Sequence, residues 1–222
     1  MNPGFALRRL AFPLTVAVLA LSSLAAQGRK LNAPLAFRYG ADATEFVLAG
    51  ERLVYRATGL DPLHYSSLLS TTIDGSAPSS TLFNAGPPEQ LTSTSDGTRV
   101  LFRSGNITYG TADLFSVPAD GSQAAIRLNP VFTTGEDVYS FRPSPDGQHV
   151  VYEAVVAEPN PPGEPVFRRR LFEAPVDGSR APTLLTPAQE LSRAYPGYAI
   201  TSDSTRVVFM AVSPGNRAEL FS

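Results

Sequence analysis

This chain repeats itself, and that constrains its fold more than any other feature. One string occurs three times: Leu68-Leu69-Ser70-Thr71-Thr72-Ile73-Asp74-Gly75-Ser76, Leu114-Phe115-Ser116-Val117-Pro118-Ala119-Asp120-Gly121-Ser122 and Leu171-Phe172-Glu173-Ala174-Pro175-Val176-Asp177-Gly178-Ser179. A second string precedes each. Its full copies are Ser95-Asp96-Gly97-Thr98-Arg99-Val100-Leu101-Phe102 and Pro145-Asp146-Gly147-Gln148-His149-Val150-Val151-Tyr152. Ser202-Asp203-Ser204-Thr205-Arg206-Val207-Val208-Phe209 replaces the glycine by serine, and Leu48-Ala49-Gly50-Glu51-Arg52-Leu53-Val54-Tyr55 diverges furthest. A period of roughly 50 residues means that each unit is one supersecondary element, which buries its faces on its neighbours.

Each string has a local reading. Asp-Gly between apolar, β-branched runs predicts a two-residue hairpin turn, in which glycine and aspartate accept the positive φ required. Arg-Val-Leu-Phe and His-Val-Val-Tyr then read as short buried strands. Leu-Phe-Ser-Val-Pro reads as the next strand, its proline placed where pairing ends. A second Asp-Gly turn leads to a last short strand. The structural turns are therefore Asp74-Gly75, Asp96-Gly97, Asp120-Gly121, Asp146-Gly147 and Asp177-Gly178. Four strands per unit predict an all-β chain of propeller blades. Blades are expected near 44–84, 89–129, 138–186 and 195–222. The last stops at Glu219-Leu220-Phe221-Ser222, which matches Asp113-Leu114-Phe115-Ser116. The expectation is three complete blades and a truncated fourth, hence a fragment or truncated product. A short propeller closed by oligomerisation is the alternative.

Ser144-Pro145-Asp146-Gly147-Gln148-His149-Val150-Val151-Tyr152, followed by Leu171-Phe172 and Asp177-Gly178, resembles the repeat of TolB-like propellers, also called WD40-like or PD40 repeats. The resemblance spans about residues 44–222. It implies a ring of more blades than this chain holds. Propellers similar to these also form the gating domain of prolyl-oligopeptidase-like serine peptidases. TolB itself carries an α/β domain ahead of its propeller, where this chain has only residues 27–43, read as a linker or a propeller-closing strand.

Residues 1–26 differ from the rest. Arg8-Arg9 precedes the apolar run Leu10–Leu21, and Ser23-Leu24-Ala25 or Leu24-Ala25-Ala26 supplies the small residues of a cleavage site. This is the pattern of a secretory signal peptide, and Pro13 interrupts a run already short for a bilayer span. A periplasmic or extracellular location follows, with no stable membrane span after cleavage. A net charge of −2 provides no basic field for nucleic acid. With no cysteine, disulfides, thiolate metal sites and a cysteine nucleophile are excluded.

No constellation of catalytic, cofactor-binding or metal-ligating residues emerges. His64 and His149 stand alone, outside any zinc spacing. The repeated aspartates could suggest calcium, but each occupies the turn position its side chain favours. No Gly-x-Ser-x-Gly elbow occurs. Asn106-Ile107-Thr108 forms a lone glycosylation sequon, and Arg168-Arg169-Arg170 reads as a solvated strand start. Ala157-Glu158-Pro159-Asn160-Pro161-Pro162-Gly163-Glu164-Pro165 lengthens the hairpin of the third unit beyond its counterpart in the second, and reads as a tolerated loop insertion that could also serve as a recognition surface.

The functional expectation is a scaffold that binds a protein or glycan partner without catalysis or cofactor. The alternative is the propeller portion of a secreted serine hydrolase whose catalytic domain is elsewhere. If export occurs, N-terminal sequencing of the secreted protein starts at Ala26 or Gln27. Material retaining Met1 in the cytoplasm refutes export.

Overall fold

The structure, a computed structural model, describes residues 42–58, 66–106, 111–186, 193–213 and 217–222. The leader at 1–26, nearly all of 27–43, His64, and Ile107 and Thr108 of the sequon lie outside the described residues.

Four antiparallel sheets follow one another along the chain, and within each the spatial order of strands is the chain order. The first holds β1 (Ala43–Ala49), β2 (Arg52–Ala57), β3 (Ser67–Thr72) and β4 (Ser80–Phe83). The second holds β5 (Pro88–Ser93), β6 (Arg99–Asn106), β7 (Thr111–Pro118) and β8 (Ile126–Arg127). The third holds β9 (Asp137–Pro143), β10 (His149–Asn160), β11 (Gly163–Pro175) and β12 (Thr183–Leu184). The fourth has three strands among the described residues: β13 (Arg193–Ile200), β14 (Val207–Ser213) and β15 (Arg217–Phe221). No described residue is helical. The all-β, bladed architecture expected from the repeat is the one observed.

The apolar runs of the second strands are continuous because both of their faces are buried. Side chains alternate across a strand, so neighbours in sequence enter different cores. Val100 and Phe102 pack with Val54 and Leu68 between the first and second sheets. Leu101, one residue away, packs with Val150 and Tyr152 between the second and third. Val151 in turn joins Phe209 between the third and fourth. A cross-strand aromatic pair recurs in three sheets: Phe102–Phe115 at 5.5 Å, Tyr152–Phe172 at 5.2 Å and Phe209–Phe221 at 5.6 Å between ring centroids. Each fully buried Val, Leu or Phe contributes about 1.5–3 kcal/mol, so the junctions between sheets supply most of the favourable energy.

The turns differ from expectation in one respect. Gly97 N–H donates to the Thr94 carbonyl, so the two residues enclosed are Ser95 and Asp96, and the glycine follows them with φ +67°. Gly75, Gly121, Gly147 and Gly178 repeat this bond with Thr72, Pro118, Ser144 and Pro175. These are not two-residue Asp-Gly turns with two positive φ values. They have one left-handed residue, placed after the turn. The reason lies in the aspartate. Asp96 Oδ1 accepts the Thr98 N–H and Asp146 Oδ1 the Gln148 N–H, a bond two residues ahead that closes the turn without a positive φ at aspartate. Asp74, Asp120 and Asp177 do the same for Ser76, Ser122 and Ser179. Ser204 takes the glycine position with φ +59°. A two-residue loop does occur in the divergent first unit, where Ala49 pairs with Arg52 across Gly50-Glu51.

Two outcomes follow. A Cβ on Gly97 would lie 2.3 Å from the Gly50 nitrogen of the neighbouring sheet, besides the strain of a left-handed φ. Gly97→Ala is expected to destabilise by at least about 2 kcal/mol in urea unfolding. Gly105→Ala should stay within about 0.5 kcal/mol, because its φ is ordinary and the nearest atom, the Thr111 carbonyl oxygen, stands at 3.6 Å.

The second outcome concerns acid. Hydrogen bonds to the charged carboxylates lower the pKa of Asp96, chiefly from Thr94, and of Asp146, chiefly from Ser144. Asp203 falls from 3.8 to about 2, with Thr201 the main cause. Depressed folded-state values mean that the unfolded chain takes up protons first as pH falls, so this stability is present above about pH 4 and is lost on acidification towards 2. The melting temperature is expected to fall across that window, and less steeply in Asp96→Asn/Asp146→Asn, whose own melting point at neutral pH is lower. An unchanged slope in the double variant rules this out.

Candidate functional site

In each of the first three sheets the two turns that carry Asp-Gly or its equivalent lie at the same end, because the strands they join are antiparallel and consecutive. At that end the junctions share a device. Arg52 NH1 donates to Ser70 Oγ at 3.1 Å, and Ser70 Oγ donates to the Ala119 carbonyl of the second sheet at 2.6 Å. The Arg52 charge also lowers the pKa of Asp120, after the larger effect of the Ser122 N–H. One sheet on, Arg99 Nε donates to Ser116 Oγ at 2.8 Å and faces Asp177, whose pKa it lowers in the same way, again after the Ser179 N–H.

The third sheet breaks the device. His149 replaces the arginine and Glu173 the serine. The imidazole has Asp146 Oδ2 3.9 Å from Nδ1 and Glu173 Oε1 3.8 Å from Nε2. Glu173 Oε2 accepts from Arg180 NH2, and Arg180 NH1 donates to Thr183 Oγ1 at 2.8 Å. Glu173 Oε1 is buried and accepts no hydrogen bond. His149, Glu173 and Arg180 border a groove of about 890 Å³ between the third and fourth sheets, lined also by the apolar Val151, Leu185 and Phe209.

Ser144, Asp146 and His149 are the residue types of a hydrolase triad, but not its geometry. Ser144 Oγ donates to Asp146 Oδ1 and accepts from the His149 backbone N–H at 3.0 Å, so the hydroxyl closes a turn. The imidazole faces the two carboxylates and no hydroxyl bond to it forms. What the groove offers chemically is recognition: a carboxylate, a guanidinium and an imidazole beside apolar side chains.

His149 is therefore not isolated, as its sequence neighbourhood had suggested. The signal was present: aligning Leu171-Phe172-Glu173 with Leu114-Phe115-Ser116 shows a carboxylate where the repeat has a hydroxyl. The reading of Arg168-Arg169-Arg170 as a solvated strand start is also corrected. All three sit within β11, and Arg170 is 1% exposed, bound to Glu158 through Nε at 2.6 Å and NH2 at 2.9 Å. Arg168 Nε lies 3.2 Å from the same carboxylate. Arg169, on the opposite face, pairs with buried Glu153 at 3.0 Å and lies over the Tyr139 ring at 3.8 Å. Residues 157–165 lengthen the hairpin of the third sheet as expected, but as paired strand and not as loop: they continue β10 and β11 out to Asn160 and Gly163, with Pro161-Pro162 at the tip. The alternation of strand faces puts Glu158 beside Arg168 and Arg170, and that ionic cluster stabilises the extension.

No protein-family model matches the chain, and no curated protein matches it. Solved structures do. The tricorn protease is 9% identical, covering 75% of this chain and 15% of its own, with a TM-score of 0.54. A structure from an analysis of two prolyl endopeptidases is 12% identical, covering 82% and 28%, with a TM-score of 0.54. TolB from Acinetobacter baumannii is 12% identical over 82% and 40%, at a TM-score of 0.42, too loose a likeness to add to the argument. This chain spans well under half the length of each. At such identities the likeness is one of fold, and together with the successive four-stranded antiparallel sheets it makes the chain a β-propeller.

Proposed function

We propose that this chain is an extracytoplasmic, TolB-like propeller scaffold that binds a protein or glycan partner in the groove between its third and fourth sheets, without catalysis. The break in the repeat carries the reading. Two junctions use an arginine and a serine to join sheets; the third replaces them with His149 and Glu173 and adds Arg180. A residue set that departs from the structural pattern and borders a groove is where binding is to be sought. The leader at 1–26 supports export. Among the described residues no helix is long and apolar enough to cross a membrane.

A second reading is favoured by the activities named for the two solved structures of like fold, both peptidases. In it, the chain is the propeller portion of a serine hydrolase whose catalytic domain lies elsewhere. Coding sequence downstream of Ser222 that encodes an α/β domain with a nucleophile elbow would decide for this reading.

The scaffold reading is tested by screening the purified chain against peptide and glycan arrays and measuring the best hit by calorimetry. Glu173→Gln and Arg180→Ala are each expected to weaken binding about tenfold, and Arg56→Ala, in the first sheet and outside the groove lining, to leave it unchanged. Equal affinity in all variants removes the groove from the function. Ester or peptide hydrolysis lost on Ser144→Ala refutes the scaffold reading itself.

A further inference from the structure

The lengthened hairpin of the third sheet creates a feature that the second sheet lacks. In the second sheet the outer edge of β7 is closed. Leu128 N–H donates to the Leu114 carbonyl at 2.8 Å, and Asn129 Oδ1 accepts the Leu114 N–H at 2.7 Å. Asp137 Oδ1, from the third sheet, accepts the Ala112 N–H at 2.8 Å. The strand ends one residue beyond, at Thr111.

The third sheet begins in the same way. Leu185 N–H donates to the Leu171 carbonyl at 2.8 Å, and Thr186 Oγ1 accepts the Leu171 N–H at 3.3 Å. Arg169, two residues before the repeated leucine, then holds the position of Ala112. Among the described residues no carboxylate closes its N–H as Asp137 closes that of Ala112. β12 is two residues long, whereas β11 runs on to Gly163. Backbone groups alternate in direction along a strand. Leu171 turns its N–H and C=O outward, so Arg169 and Phe167 do the same, while Arg168 and Val166 face Val156 and Glu158 in the β10 ladder. Pro165 then presents a carbonyl but no N–H, which ends the row of donors. The result is a short open ladder bounded by Thr186 at one end and Pro165 at the other. No described residue pairs with it.

The side chains along this edge differ between its two faces. On the face towards the fourth sheet, Phe167 is 50% exposed, its ring seated over Gly135, where a Cβ would come within 2.7 Å of it. On the other face Arg168 and Arg170 both pair with one carboxylate, Glu158, and the Arg168 side chain is 34% exposed. The chemical complement of such an edge is another extended backbone, with apolar side chains beside Phe167 and acidic ones beside Arg168.

We propose that the outer edge of β11, from Pro165 to Arg169, takes up an extended segment of a partner protein as an added strand, in which apolar and acidic residues alternate. Backbone bonds to Phe167 and Arg169 give the affinity, and the alternation gives the selectivity. None of these residues lines the groove between the third and fourth sheets, so this site and that groove stand or fall separately.

The purified chain is probed with an array of acetylated peptides of about eight residues, a usual strand length, that alternate valine, isoleucine, leucine or phenylalanine with glutamate or aspartate. A second array carries lysine in place of the acids. The acidic set is expected to bind, and the lysine set at least about tenfold more weakly. The best acidic peptide is then titrated by calorimetry. N-methylation of one alternate set of its amides should abolish binding, and of the other set should leave it within about threefold, because only one side of an added strand meets β11. Phe167→Ala, which keeps the N–H, should weaken binding about threefold. Phe167→Pro removes the N–H and should weaken it at least about tenfold beyond Phe167→Ala. The two variants should melt at similar temperatures, because that N–H lies outside the β10 ladder. The proposal is overturned if no acidic peptide binds wild type, if the lysine set binds as well, if both N-methylated peptides bind alike, or if Phe167→Pro binds as tightly as Phe167→Ala.

Discussion

Everything in this structure depends on sheets that are buried on both faces. A lone four-stranded sheet with Val100, Leu101 and Phe102 in sequence would expose one apolar face whatever its register. Stacked between two others, it exposes neither, and three consecutive residues enter two different cores. The chain therefore has no single centre. Its stability is a series of junctions, each made by one sheet's forward row and the next sheet's backward row.

The polar groups follow the same logic. Arg52 and Arg99 are placed to serve two sheets: a hydroxyl on their own and an acidic turn on the next. Because turn aspartates already accept backbone N–H bonds, they are held as carboxylates and give each arginine a fixed anion. The third sheet substitutes His149 and Glu173 within this frame, leaving a carboxylate oxygen without a hydrogen bond and a groove beside it. A repeat that specifies a junction so fully makes any departure conspicuous. This is the physical basis for seeking recognition there and not at the ordinary junctions.

The hairpin extension of β10 and β11 shows a different use of alternation. Glu158 lies in the part of β10 that reaches past the length of the second sheet's strands, yet it holds Arg168 and Arg170 because all three share a face. Arg169, on the other face, is held by Glu153 and Tyr139. Three consecutive arginines thus act as two separate structural clusters instead of one basic patch.

The sequence by itself determined the number and kind of the units. Period, strand alternation and Asp-Gly placement are local properties, and each survives in the chain text: the strands around Arg99–Phe102 and Leu114–Pro118 stand where the strings place them. It did not determine turn type, because the choice between one and two left-handed residues depends on whether the aspartate carboxylate reaches the N–H two residues ahead, a matter of atomic geometry. Nor did it determine the surroundings of His149, Glu173 and Arg170. Their partners Asp146, Arg180 and Glu158 are near in sequence, but the pairing register alone decides which side chains share a face. Which sheet's forward row meets which backward row was decided only by tertiary structure, since a junction is formed by residues roughly one repeat apart and has no meaning until both sheets are folded.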